Sequence, residues 1–215
     1  MSKSMFRFLS RPTCPVLIEG ERIHLRLPEM GDFEEWRRLR LESRNFLEPW
    51  EPTWGPDDLS RTSFRLRIRR YDQDFARGLA VPLFVFLNEG NTLVGGLTLG
   101  YIRRGAAQSC MVGYWMGEAH AGKGLMHAAL DAVIPYAFDV LRLHRIEAAC
   151  IPDNVRSVGL LEKAGFEREG YLRGYLKING AWRDHVLYAR LAEQRGARAA
   201  SGKAKAVQTN SKTIA

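Results

Sequence analysis

Two short stretches carry residue types at spacings that can do chemistry. The first is HAGKGLM (120–126), between the strand-like run CMVGYWM (110–116) and the helix-like run LMHAALDAVIPYAFDV (125–140). A glycine-rich turn between a strand and a helix lets an anion approach the backbone, and the N–H groups of the first helical turn point at it. The turn is not a Walker loop, because G-x-x-x-x-G-K-[ST] is absent, and it is not the dinucleotide fingerprint G-x-G-x-x-G. By itself G-K-G is weak evidence for a phosphate cradle and fits an ordinary strand-to-helix turn better. The second stretch is NVRSVGLLEKAGF (154–166). Asn154 suits a helix N-cap, and Ser157, one turn on, shares its face.

A strand, a turn and two helices must hold these residues, and the remaining chain reads as the sheet that carries them. GERIHLRL (20–27) alternates, with Ile23, Leu25 and Leu27 on one side and Arg22, His24 and Arg26 on the other. PEMGDFEEWRRLRLES (28–43) predicts a helix capped by Asp32, with Phe33, Trp36, Leu39 and Leu41 as its apolar stripe. NFLEPWEPTW (45–54) is aromatic and proline-rich, a structured loop or short helical turn, and 57–78 predicts a second helix. Residues 82–87 and 92–103 form a hairpin around NEGN, and 108–116 adds the next antiparallel strand. After the helix at 125–140 come a strand at 145–152, a short helix stopping at Gly165, and a hairpin turning at Asn179–Gly180. The order β-α-α-β-β-β-α-β-α-β-β predicts a mixed α/β sheet with helices on both faces.

Composition narrows the function classes. At 215 residues the chain is of single-domain length, with a net charge of +8. No apolar run approaches the roughly 18 residues of a membrane span, and the first 20 residues lack the continuous apolar core and A-x-A site of a signal peptide. Cys14, Cys110 and Cys150 are odd in number and unclustered, which argues against a disulfide framework and a zinc site. No metal is expected, and the expected compartment is the cytoplasm. Cys110 and Cys150 lie in apolar runs and read as small core residues. Residues 193–215 hold five basic residues and one acidic, with almost no large apolar side chain, so they predict a basic, disordered tail. The domain is then 20–192, preceded by an extension at 1–19. The basic run at 61–78 reads either as a solvated helix face or as a surface for a polyanionic partner.

Taken together, the glycine turn and the Asn154 helix ending in K-A-G-F resemble, in order and spacing, the motifs of the GNAT N-acetyltransferase superfamily. The stretches GKGLMHAAL and EGYLRGYLKINGAWRDHVLYA are similar to the RimJ/RimL branch, which acetylates the N-terminal amine of ribosomal proteins. INGAWRDHVLYA looks closer to the RimJ members, which act on an alanine N-terminus of a small-subunit ribosomal protein. The resemblance covers roughly 20–192. One departure stands at Ala119, where the superfamily pattern has Gln or Arg. The resemblance implies the GNAT fold: a mixed, mostly antiparallel sheet of six to seven strands flanked by helices, with a splay between the fourth and fifth.

It also implies acetyl-CoA as the donor. Its pyrophosphate would lie on the backbone of Ala121, Gly122, Lys123, Gly124, Leu125 and Met126, and its pantetheine arm along Tyr114, Trp115, Met116 and Gly117. Asn154 would reach the arm, unless it only caps its helix. Family members often carry a tyrosine where Leu161 stands, which leaves Ser157 to stabilise the departing thiolate, unless it is a plain helix serine. A backbone N–H near Met116 would meet the oxyanion. A neutral α-amine, with a pKa of about 7.7–8.0, needs only a weak base or a water chain. Glu118, Tyr175 and Asp184 are candidates for it, while His144 and His185 carry no assigned role. The acceptor would enter between the 45–54 loop and the last hairpin, past Trp50 and Trp54. Two other readings stand beside N-terminal protein acetylation. Glu48, Glu51, Asp57 and Asp58 could line a cleft for a polyamine or aminoglycoside. The basic tail and arginine run could serve a ribosome- or RNA-binding assembly factor.

Overall fold

The computed structural model describes residues 17–193, so most of the N-terminal extension and the basic tail lie outside the described residues. The strands are β1 (Ile18–Glu19), β2 (Ile23–Arg26), β3 (Val81–Leu87), β4 (Leu93–Arg103), β5 (Ser109–Met116), β6 (Arg145–Cys150), β7 (Glu167–Ile178) and β8 (Ala181–Leu191). They form one sheet in the order β1-β2-β3-β4-β5-β6-β8-β7. Every pairing is antiparallel except β5 with β6. Eight strands is one more than the resemblance implies. The addition is β1, because the run read as one strand from 20 follows a tight turn at Gly20–Arg22 that folds Ile18 back against Leu25.

The helices are α1 (Phe33–Glu42), α2 (Arg44–Leu47), α3 (Arg61–Ala76), α4 (Leu125–Pro135) and α5 (Val155–Lys163). They cover both faces. Leu125, Met126, Ala129, Leu130 and Val133 of α4 and Leu161 of α5 join Ile23, Leu25, Val85, Leu97 and Val112 in one core. Phe33, Trp36 and Leu39 of α1 and Phe64 and Ile68 of α3 pack with Phe84, Phe86 and Leu93 in the other. Phe64 is fully buried, its ring centroid 4.7 Å from Trp36 and 5.5 Å from Phe33. Burying such a ring contributes about 1.5–3 kcal/mol.

Local chemistry sets the helix ends. Ser60 Oγ accepts from Ser63 N–H and starts α3, four residues after the predicted onset. The 45–54 loop holds the short α2 and a tight turn at Glu48–Trp50. Pro135 lacks the N–H that an α-helix needs, and the predicted long helix continues beyond it as a wider π-type turn at Tyr136–Val140. Asn179 and Gly180 have φ of 43° and 79°, the left-handed pair that a two-residue hairpin turn requires. Asp32 departs from its expected role. Its carboxylate does not cap α1. Instead it pairs with the buried Arg26 of β2, Nη1 to Oδ2 at 2.9 Å and Nη2 to Oδ1 at 2.5 Å, and accepts from Glu29 N–H. A guanidinium buried so close to the start of α1 outcompetes the helix N–H groups for that carboxylate.

Candidate active site

The site is built on a gap in the sheet. β5 and β6 pair only through Ser109–Met111 and Arg145–Glu147. Beyond Met111 they part, while β6 stays paired with β8 as far as Cys150 and β5 with β4 as far as Met116. This is the splay expected between the fourth and fifth strands, counted without β1. Hydrogen bonding alternates along an antiparallel pair. Gly117 N–H donates to Val94 O at 2.9 Å. In that register the N–H groups of Gly113 and Trp115 face β4, and those of Tyr114 and Met116 face the gap.

At the end of β5 the chain turns through Glu118–His120 into the glycine turn and α4. Gly122 and Gly124 have φ of 74° and 76°. A Cβ on either would meet nothing within 4 Å, so both are held to glycine by backbone conformation. Ala128 N–H donates to Gly124 O, which leaves the N–H groups before it without helical acceptors. Leu125 and Met126 bury their side chains, so they offer only backbone to a ligand. Lys123 is exposed, and its carbonyl accepts from Arg22 Nη1 at 3.3 Å. The turn therefore suits a pyrophosphate, and the open N–H edge of β5 suits the amides of a pantetheine arm. Gly124→Ala and Gly122→Ala should each cost about 1–2 kcal/mol through left-handed strain and raise the KM for acetyl-CoA about tenfold with kcat little changed. Steady-state kinetics with thermal unfolding would check this.

Ser157 sits on the far side of the gap. Asn154 Oδ1 accepts from Ser157 N–H at 3.1 Å, so Asn154 does cap α5 and keeps its amide nitrogen as a donor. Ser157 Oγ and Tyr114 OH are 2.8 Å apart, which ties α5 to β5. Burial pushes the Tyr114 phenol well above its ordinary range, so it stays protonated. Burial raises the thiol of Cys150 at the end of β6, an effect that Ser157 partly offsets. Burial and the nearby Glu147 carboxylate push Cys110 up to about 12. Neither thiol is an activated nucleophile.

Trp115 points to the opposite face of the sheet, with the Arg40 guanidinium 4.9 Å from its ring and Phe84 edge-on. There a cavity of about 320 Å³ lies over β4 and β5, walled by Trp36, Arg40, Glu51, Arg67, Tyr71 and Trp115 among others. Arg40 grips Glu51 with both terminal nitrogens, Nη1 to Oε1 at 2.7 Å. Trp54 Nε1 donates to Glu51 Oε2, and its ring stacks on Arg40. Glu51 O accepts from Asn179 N–H at the tip of the last hairpin. The loop and hairpin expected to flank the acceptor thus meet beside this cavity. Trp54 packs the loop, while Trp50 is exposed.

Three of the four acidic residues of the loop are engaged locally. Glu51 is held by Arg40, Glu48 pairs with Arg44, and Asp58 accepts from Gly55 N–H. The candidate bases are scattered. Glu118 is exposed just past β5, its backbone N–H donating to Ser43 Oγ. Asp184 accepts from Gly174 N–H and Tyr171 OH, which hold its carboxyl below the usual range. Tyr175 stacks edge-on against the buried His185, whose Nδ1 contacts Arg183 O. His144 faces Glu193 at 3.8 Å. None of these contacts brings Glu118, Tyr175 or Asp184 to Ser157. Arg40 and Arg67 escaped the sequence reading. Arg67 had a signal, because it falls within the stripe Phe64, Ile68, Tyr71 at helical spacing.

An open sheet split at this point, with a glycine turn at one side and a capped helix at the other, defines a class of acyl-transfer enzyme. The acetyltransferase (GNAT) domain family matches residues 22–167, and the chain belongs to that family. It is of the RimJ/RimL type. It is 38% identical over 173 residues to the probable N-acetyltransferase YjcK of Bacillus subtilis, covering 80% of this chain and 96% of the relative. It is 36% identical over 176 residues to the ribosomal protein uS5-alanine N-acetyltransferase of Escherichia coli, covering 81% and 90%. Among solved structures, Mycobacterium smegmatis RimJ in complex with CoA-disulfide superposes with a TM-score of 0.79 at 36% identity, covering 82% of this chain and 88% of that one. Among the described residues, no helix is long and apolar enough to cross a membrane and no His, Cys, Asp and Glu group could hold a metal ion.

Proposed function

We propose that this enzyme acetylates the N-terminal α-amine of a ribosomal protein, alanine first, with acetyl-CoA as donor. The observation that carries the chemistry is the Ser157–Tyr114 hydrogen bond across the β5–β6 gap, 2.8 Å long. The acceptor class rests on the similarity to the uS5-alanine enzyme. Acetyl-CoA supplies an activated acetyl thioester. The Tyr114 and Met116 N–H groups facing the gap align the arm, and that of Met116 meets the developing oxyanion. Either oxygen of the pair can donate. With Tyr114 as donor to Ser157 Oγ, the serine hydroxyl turns its own hydrogen to the departing sulfur. The proton that the amine sheds to water as the C–N bond forms balances the one that the thiolate takes up. The amine attacks in its neutral form, so kcat/KM should rise with pH through the acceptor pKa, about 7.7–8.0. The exposed Arg37, Arg38, Arg65 and Arg69 on α1 and α3 fit a contact with ribosomal RNA.

Two features speak against a polyamine or aminoglycoside acceptor. Glu51 and Glu48 are held by Arg40 and Arg44 and Asp58 by the Gly55 N–H, and the cavity wall carries two arginines against one glutamate. A thiol-release assay with Ala-, Ser- and Met-starting peptides, spermidine and an aminoglycoside decides between them. CoA release with Ala or Ser peptides, with mass spectrometry placing the acetyl on the α-amine, is the expected result. Turnover of the small amines alone would overturn it.

A further inference from the structure

Arg67 stands out from the rest of the arginine run. Its neighbours Arg65, Arg69 and Arg70 are exposed to solvent, whereas Arg67 turns inward between Phe64 and Tyr71 and forms part of the cavity wall. Its guanidinium lies 5.5 Å from the Trp36 ring. Its Nε is shut away from solvent without a hydrogen-bond partner, and no carboxylate pairs with it among the described residues. The other two charged residues on the wall neutralise each other, because Arg40 and Glu51 form a two-bonded pair that Trp54 Nε1 completes. The cavity thus presents one net positive charge on walls that include Trp36, Tyr71, Phe84 and Trp115 and are partly closed to water. A cation so placed is costly without a counter-charge, and a ligand carboxylate is the group that would repay the cost with strong, charge-assisted hydrogen bonds. The same cavity is floored by Gly113, Tyr114 and Trp115 of β5, the stretch that borders the gap.

From this we infer that Arg67 is a specificity residue that binds a carboxylate close to the acceptor amine, namely an acidic side chain within the first three or so residues of an acceptor peptide. The inference rests on the proposed N-terminal acetylation and names the acceptor more narrowly. A volume of about 320 Å³ is at the small end of ligand pockets, which suits a few residues and excludes a folded surface. The carboxylate could also belong to a free amino acid, whose amine and carboxylate share one carbon, so the test separates the two sources.

The experiment compares kcat/KM for the full-length enzyme on blocked-C-terminus peptides that start Ala and differ only at positions two to four. One series carries Glu, one Gln and one Lys at each position in turn, and free alanine and free glutamate are run alongside. The expected result is one position at which Glu exceeds Gln by about tenfold or more and Lys falls below Gln, mostly through KM. Arg67→Gln should erase that preference, bringing the ratio of the Glu-peptide to the Gln-peptide kcat/KM to about one. Arg67→Glu should reverse it, with Lys now preferred, a rescue that a misfolded variant could not give. Thermal unfolding and CoA binding of both variants control for folding. Preference for the free amino acids would assign the subsite to a small-molecule carboxylate and overturn the peptide assignment. Equal rates on all peptides, or Arg67 variants that lower all of them alike, would overturn the inference while leaving N-terminal acetylation intact. No turnover of any peptide would instead sink the proposed function itself.

Discussion

Replacing Ser157 with alanine is expected to lower kcat/KM for peptide acetylation by about 100-fold to 1,000-fold, with acetyl-CoA binding and melting temperature near those of the parent. The backbone N–H of residue 157 donates to the Asn154 cap, so α5 keeps its start and little stability is lost. What disappears is the hydroxyl held 2.8 Å from Tyr114. With it goes the proton donor nearest the leaving sulfur in the proposed arrangement. Tyr114→Phe removes only the group that orients that hydroxyl, so a smaller loss of about tenfold or less is expected. The double variant should be no slower than Ser157→Ala alone, because Tyr114 acts through Ser157. Full activity in Ser157→Ala would reduce Ser157 to a helix residue and leave the thiolate without an assigned partner. Rapid-mixing measurement of CoA release would show whether the chemical step is the one slowed.

Asp32→Asn is expected to be the most destabilising single change at a residue outside the site, costing about 3–5 kcal/mol. Arg26 and Asp32 are 4% and 6% exposed, and the carboxylate accepts from both guanidinium nitrogens and from Glu29 N–H. Asparagine keeps the shape and removes the negative charge that Arg26 holds with two hydrogen bonds. Against a typical total of about 5–15 kcal/mol the loss is large, and the melting temperature should fall by roughly 10 °C. Urea unfolding should show a lower midpoint with an unchanged slope. Replacing the pair together, as Arg26→Met with Asp32→Leu, should recover most of the loss, because desolvating two charges offsets much of their attraction. A drop under about 1 kcal/mol for Asp32→Asn would mean that water reaches this pair. The pair matters to function because it fixes the entry of α1, which carries Trp36 and Arg40 into the cavity.

Much of the donor side was legible from the chain. The alternation at β2, the N-G hairpin and the strand–glycine–helix order follow from local rules. The left-handed glycines and the Asn154 cap depend on a few adjacent residues, and they stand where the sequence placed them. The strand count missed β1, because two residues are too few to show a period. Asp32 looked like a cap because residue type near a helix start is all that a sequence displays, and its actual partner lies on the preceding strand. The acceptor side was scarcely legible. By sequence the acidic loop could line a cleft, whereas in the fold Arg40 and Arg44 hold Glu51 and Glu48.

The division has a physical cause. Backbone conformation, capping and hydrophobic period are decided within about one turn of helix or a few strand residues, so neighbouring residues alone specify the α/β class, the glycine turn and the helix that holds Ser157. Which charges neutralise each other, how far β5 and β6 stay paired, and which arginine of a basic run turns inward depend on elements dozens of residues apart. Ser157 became part of a pair with Tyr114, 43 positions away, only when α5 and β5 were packed across the gap. Arg67 became a cavity wall only when α1, α3 and the sheet closed around it.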